Sequence, residues 1–234
     1  MSRRNTPKYK IYSKLGISLT NHPKLSSGKL SAKKWQNVYS SSRRPRKESE
    51  YGVLLQAKQR LSHFYGGIKA NQLNRDYKRA KSFTGNQTIN FIKLIERRLD
   101  VILYRCKLAP SFHEIRQLIQ HGHIFLNGST VKSSSHRLVI GDRISIKLGS
   151  EELIKRGLSK SFNQNSILKR QQKVLSTGDV LENKPLLALP NFVEFNYQLL
   201  EGKVISLPDT TDILYSMDPR LTHLMEYYKY KKKL

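Results

Sequence analysis

One cysteine and few carboxylates mark this 234-residue chain: 17 Asp and Glu stand against 43 Lys and Arg. The lone Cys106 excludes an internal disulfide and any zinc site built from several cysteines. It falls on the apolar side of a helical pattern and reads as a buried thiol. No run approaches the roughly 20 apolar residues that a membrane-spanning helix needs. An apolar signal core is missing from the N-terminus, so secretion is not expected. Arg3, Arg4, Lys8, Lys10 and Lys14 resemble a transit peptide in composition, but the motifs that follow assign them to the mature chain. G-x-S-x-G, the Walker loop and G-x-G-x-x-G are all missing, which removes the usual sequence signs of a hydrolase or nucleotide-binding enzyme. The tetrapeptide His121–Ile124 echoes a synthetase nucleotide-binding motif in the wrong order and without the preceding domain. Repeats of fixed period are absent too.

Positive charge is what the chain has in excess. The formal net charge is +26 and the isoelectric point lies near 10.2. Residues 1–140 carry 28 basic and 6 acidic side chains, whereas residues 141–234 carry 15 and 11. Such self-repulsion is relieved by a polyanion, and the 38% of hydrophobic residues still allows a real core. RNA, DNA and an anionic membrane surface all satisfy this much.

Residues 1–47 mix basic residues with Ser, Gly and Pro and predict an extended basic arm. Trp35 and Tyr39 argue for its docking, although a solvated tail fits the charges equally well. From Ser49, the positions Val53, Leu54, Ala57, Leu61 and Phe64 predict a helix that Gly66-Gly67 ends. A second helix is expected over Lys69–Lys81, with Arg75, Lys78, Arg79 and Lys81 on its outer face. A single long helix is expected over Thr88–Lys107, burying Ile92, Ile95, Leu99, Ile102 and Leu103 and turning Lys93, Arg97 and Arg105 to solvent. Arg98 and Asp100 flank Leu99 and are expected to point apart. Ser111 with Glu114 forms a capping-box pattern that opens a short helix burying Phe112, Ile115, Leu118 and Ile119. Asn127-Gly128, between His123–Leu126 and Ser129–Val131, is a strong hairpin signal. Gly141-Asp142 turns into the strand Arg143–Lys147. Residues 149–185 read as a variable linker, and Phe192–Tyr197 with Lys203–Leu207 as a pair of strands.

Four histidines lie within His113–His136, and His121 and His123 are two apart, but carboxylates nearby are few and no metal site is expected. A binding surface is expected instead. His113, Arg116, Gln117 and Gln120 occupy the exposed side of the short helix, with His121 after it and Lys132 and Arg137 in the adjoining loop. These groups suit phosphates and ribose hydroxyls of folded RNA better than base edges. Lys78 and Arg79 add cationic positions from the second helix.

The segment R-R-L-D…R-C-K-L-A-P-S-F-H-E-I-R-Q-L-I-Q-H-G-H-I-F-L-N-G…V-I-G-D-R-I-S-I resembles the RNA-binding module named after small-subunit ribosomal protein number four. That module also occurs in pseudouridine synthases, tyrosyl-tRNA synthetases and heat-shock RNA-binding proteins. The flanks narrow the choice. Arg43-Arg44-Pro45-Arg46, Ser49-Glu50-Tyr51-Gly52, Leu55, Lys58-Gln59-Arg60-Leu61 and Tyr65-Gly66 resemble the ribosomal family itself, of bacterial or organellar type. Thr84-Gly85, Val193-Glu194, Leu200-Glu201-Gly202 and Glu226-Tyr227-Tyr228 fit its later parts. Cysteines that often bind zinc in the arm of bacterial relatives have no counterpart here, so neither metal nor cofactor is expected.

The resemblance implies an α+β protein: a mostly helical, basic N-terminal lobe with a small inserted RNA-binding module of two helices and a short antiparallel sheet with a hairpin. In this chain the arm would be 1–47, the lobe 48–87 and 149–234, and the module 88–148. Arg46, Tyr51, Lys58, Gln59, Arg60, Tyr65, Arg98, Arg116, Gln117, His121, Asn127 and Arg137 would face RNA or pack its junction, with Arg43 and Arg44 beside them. The implied partners are small-subunit ribosomal RNA at a multi-helix junction in its 5′ domain, small-subunit ribosomal proteins three and five, and messenger RNA where it joins the subunit. The implied role is structural rather than enzymatic. The rivals are an RNA-modifying enzyme or a free ribosome-associated factor sharing the module. Abundant Lys, Asn, Ile, Tyr and Ser favour a mitochondrion over a plastid or bacterium.

Overall fold

The computed structural model describes residue 15 and residues 49–161, 190–208 and 221–233. The chain forms two compact units, Met1–Gly67 with Ser216–Leu234, and Ile68–Tyr215. The second is thus inserted in the first along the chain, and it is a larger unit that includes the expected module 88–148. The expected arm and most of the expected linker lie outside the described residues.

In the first unit, helix α1 (Glu50–Phe64) starts where Ser49 accepts a hydrogen bond from Gly52 N at 3.2 Å. It packs on α7 (Leu221–Lys233), burying Ala57 and Leu61 together with Leu224, Met225, Tyr227 and Tyr228. Tyr65, just past α1, is 1% exposed.

In the second unit, α2 (Ala70–Ser82) packs on α3 (Gln87–Glu96), and α4 (Leu99–Arg105) on α5 (Phe112–Gln120). The long helix expected over Thr88–Lys107 is thus two helices. Arg98 takes an extended backbone (φ −69°, ψ 140°), and the loop after the hairpin supplies the missing partners. Leu99 N donates to His136 O at 2.8 Å, Asp100 N to Ser134 O at 3.2 Å, and Leu138 N to Arg97 O at 2.8 Å. Satisfied orphan amides make the break affordable despite two good helix formers at Arg97 and Arg98.

Strands β1 (Ile124–Leu126), β2 (Ser129–Thr130), β3 (Arg143–Ile146), β4 (Val193–Asn196) and β5 (Glu201–Val204) form one antiparallel sheet in the order β2-β1-β3-β5-β4. The expected late strand pair therefore extends the module's sheet, with β5 beside β3, and does not belong to the helical lobe. Phe195 lies opposite Gly202, where an added Cβ would meet the ring at 2.5 Å. Residues 151–161, expected within the linker, are helical (α6). Ile154 and Leu158, four apart, enter the core beside Cys106, Ile115, Ile119, Ile144 and Phe192. Burial pushes the Cys106 thiol up to about 12, so it is an inert core side chain.

Candidate nucleic-acid interface

Between residues 68 and 140 there are 13 Lys and Arg and only 4 carboxylates, so where the carboxylates sit decides the surface charge. Asp76, Glu96 and Asp100 are buried, leaving Glu114 alone partly exposed among the described residues of this stretch. Each buried acid holds arginine. Arg98 grips Asp100 through two hydrogen bonds of 3.0 Å, and Arg116 Nε adds a third at 2.9 Å. Arg105 pairs with Glu96 at 2.7 Å, and Arg137 pairs with Asp76. Burial pushes the Asp76 carboxyl up, against the opposing pull of Arg137, Arg98 and Arg79.

These pairs correct several expectations. Arg98 and Asp100 do not diverge, because the extended backbone at Arg98 lets its guanidinium fold back onto the first turn of α4. Arg105 is not simply solvated, and Arg97 donates from Nε to Leu138 O at 2.9 Å. Arg98, with its side chain 4% exposed, is a scaffold residue with no face to offer RNA. Tyr65 is ruled out as a direct contact by its burial. Arg116 and Arg137 keep side-chain exposures of 20% and 24% while anchored to carboxylates. Both therefore fix the geometry from which any contact would be made.

The same ion pairs bring distant segments together. Asp76 of α2 is joined to Arg137 of the loop, whose backbone bridges to Arg98. Arg98 leads through Asp100 to Arg116 of α5. Around this line lie two exposed faces. On α2, Arg75, Lys78, Arg79 and Lys81 are exposed while Leu73, Asp76 and Ala80 are buried. On α5, His113, Gln117, Gln120 and His121 are exposed at helical spacing, opposite the buried Phe112, Ile115, Leu118 and Ile119. Ser111 caps this helix by accepting from Glu114 N at 3.3 Å. Exposed Lys132 and His136 belong to the connecting loop.

Asn127-Gly128 makes the expected two-residue turn, with φ of 50° and 80° and Leu126 opposite Ser129. The Asn127 side chain is a clamp, donating to Asp142 Oδ1 and accepting from Arg143 N, both at 2.9 Å. Its first task is thus to hold β1 to β3. His121 and His123 rings lie 6.0 Å apart, and His123 Nδ1 is 2.8 Å from Ser150 Oγ. Exposed Arg143 and Lys147 were missed as candidates, though their two-residue alternation with Ser145 was a usable signal. In the other unit, Tyr51 and Gln59 are exposed and Lys58 and Arg60 half-buried, while Arg43, Arg44 and Arg46 lie outside the described residues.

A family described as ribosomal protein S4/S9 N-terminal domain matches residues 3–96, and one described as S4 domain matches residues 97–144. A small ribosomal subunit protein uS4 from Brucella anthropi is 31% identical over 228 residues, covering 97% of this chain and 99% of the relative. One of the same name from Nitrobacter winogradskyi is 32% identical over 230 residues, with the same coverage of 97% and 99%. Another, from Novosphingobium aromaticivorans, is 37% identical over 153 residues, or 65% of this chain and 74% of the relative. With similarity running nearly end to end and both domains matched in order, the chain belongs to the small ribosomal subunit protein uS4 family.

Proposed function

We propose that this chain is a structural, non-enzymatic constituent of the small ribosomal subunit that binds small-subunit ribosomal RNA and so supports subunit assembly and translation. The observation that carries this reading is the burial of Asp76, Glu96 and Asp100 beneath a surface left almost purely cationic. Such a surface holds phosphates, and Glu114 is the one carboxylate that the described residues 68–140 leave even partly exposed. The cationic face of α2 supplies charge, and the amide and imidazole face of α5 supplies hydrogen bonds to riboses or unpaired bases.

In the finer reading, the RNA target is a multi-helix junction in the 5′ domain, with small-subunit ribosomal proteins three and five as neighbours and messenger RNA passing nearby. The RNA-binding set comprises the exposed Lys78, Arg79, His113, Gln117, Gln120, His121 and Lys132 together with the anchored Arg116 and Arg137. The compartment we propose is the mitochondrion, on the ground of the Lys-, Asn-, Ile-, Tyr- and Ser-rich composition. Locating the coding sequence on a bacterial chromosome would overturn that last point.

The binding test is filter retention of a 5′-domain transcript across a salt series. Affinity is expected to fall steeply, and the double variant Lys78→Ala, Arg79→Ala to lower the log–log slope by roughly 0.7–0.9 per lost phosphate contact. An unchanged slope would reject α2 as the phosphate-holding face.

A further inference from the structure

One side-chain cluster in the first unit is explained neither by its core nor by the module. Tyr51, at the start of α1, stands between two rings of α7: Tyr227 at 6.0 Å and Tyr230 at 5.9 Å between centroids. Tyr227 is 4% exposed and is held by Lys58, whose Nζ lies 5.0 Å from its ring centroid and 3.4 Å from its hydroxyl. That contact is a cation–π interaction backed by a hydrogen bond. Tyr51 and Tyr230, in contrast, keep 42% and 48% of their surface exposed. Helical spacing puts Tyr227 and Tyr230, three apart, on one side of α7. The buried Tyr227 thus supports the exposed Tyr51, which in turn meets the exposed Tyr230.

We infer that Tyr51 and Tyr230 form a stacking platform for an unpaired nucleobase. The inference rests on the RNA-binding reading above and adds to it a ligand class and a residue, Tyr230, that the family motifs did not single out. Aromatic faces recognise splayed-out bases by stacking and tolerate any sequence, because every base has a π face. Charge selects the occupant. The described residues of this unit carry 6 Lys and Arg against 2 Asp and Glu, and Lys229 is exposed beside Tyr230. That potential attracts a phosphate-linked base and repels the guanidinium of a neighbouring protein, the other common stacking partner of tyrosine.

The test uses the full-length chain and a 5′-domain small-subunit ribosomal RNA transcript carrying 4-thiouridine. Ultraviolet crosslinks are expected in peptides containing Tyr51 or Tyr230. Tyr51→Leu and Tyr230→Leu should each weaken binding about tenfold with no change in salt slope, whereas Tyr51→Phe and Tyr230→Phe should bind as the native chain does. Near-half exposure of both rings lets the leucine variants fold, which equal helix content by circular dichroism verifies. Leucine variants that bind RNA as well as the native chain, or that lose salt slope along with affinity, would overturn the platform. So would a defect confined to association with ribosomal proteins. If the native chain itself shows no salt-dependent RNA binding, the broader reading falls, a result separable from failure of the platform alone.

Discussion

Replacing Asp100 by asparagine isolates what the buried carboxylates do. Asp100 accepts three arginine N–H groups, two from Arg98 at 3.0 Å and one from Arg116 at 2.9 Å. The Arg98 side chain is 4% exposed and cannot recover its hydration once the carboxylate is gone. Removing one member of a buried pair costs about 3–5 kcal/mol, most of it from stranding the other charge. Asparagine preserves the volume but is neutral and presents a donor to groups that only donate, so Asp100→Asn should fall in that range. For a unit of the size of Ile68–Tyr215, each kcal/mol shifts Tm by about 2–4 °C, giving a loss on the order of 10 °C. The internal control is Glu151→Gln. The Glu151–Lys155 pair is exposed and 3.9 Å long, so its loss should cost about 0–1 kcal/mol. Thermal and urea melts followed by near-ultraviolet circular dichroism measure both. A second variant, Asp100→Leu with Arg98→Met, removes the carboxylate and the more deeply buried of its two arginines, leaving only the 20%-exposed Arg116 unpaired, and should recover much of the loss. Asp100→Asn behaving like Glu151→Gln would refute the role assigned to the buried acids.

Asp76→Asn reports on pH. Because burial raises the folded-state carboxyl, the stability Asp76 contributes is fully present below the ordinary carboxylate pKa and is lost as pH rises through the raised value. Native and Asp76→Asn melts should therefore show different pH slopes just above the ordinary carboxylate range, and parallel curves would contradict the shift. Gly128→Ala forces a left-handed conformation at φ 80° and should cost about 1–2 kcal/mol in urea unfolding, with no steric clash to add to it. Gly157→Ala should cost about 1–3 kcal/mol, since the new Cβ would lie 2.4 Å from the Leu108 carbonyl oxygen; an unchanged midpoint would mean α6 shifts freely.

Local chemistry was legible in the sequence where a residue's own neighbours decide its conformation. Ser49, Ser111 and Asn127-Gly128 cap or turn as their types demand, and the apolar spacing of α5 gave both its buried and exposed faces. What escaped was decided by distant segments. Nothing local distinguishes Arg97-Arg98 from helix, because the break is bonded by the carbonyls of Ser134 and His136 and the amide of Leu138, far along the chain. Residues 151–161 were hidden by polar composition, since only Ile154, Gly157, Leu158 and Ser161 turn inward there. Paired burial was likewise invisible for Arg105, Arg116 and Arg137, because a cation pattern does not state whether its counter-charge is a phosphate or a carboxylate inside the same fold. The exposed aromatic pair needed α1 and α7 side by side.

The pairing of α1 with α7 also bears on timing. Lys58 finds Tyr227 only 169 positions later, so α1 must wait for those residues to be translated before it meets this partner. A nascent chain that stops before Leu221 therefore lacks the α1–α7 surface and the aromatic cluster on it.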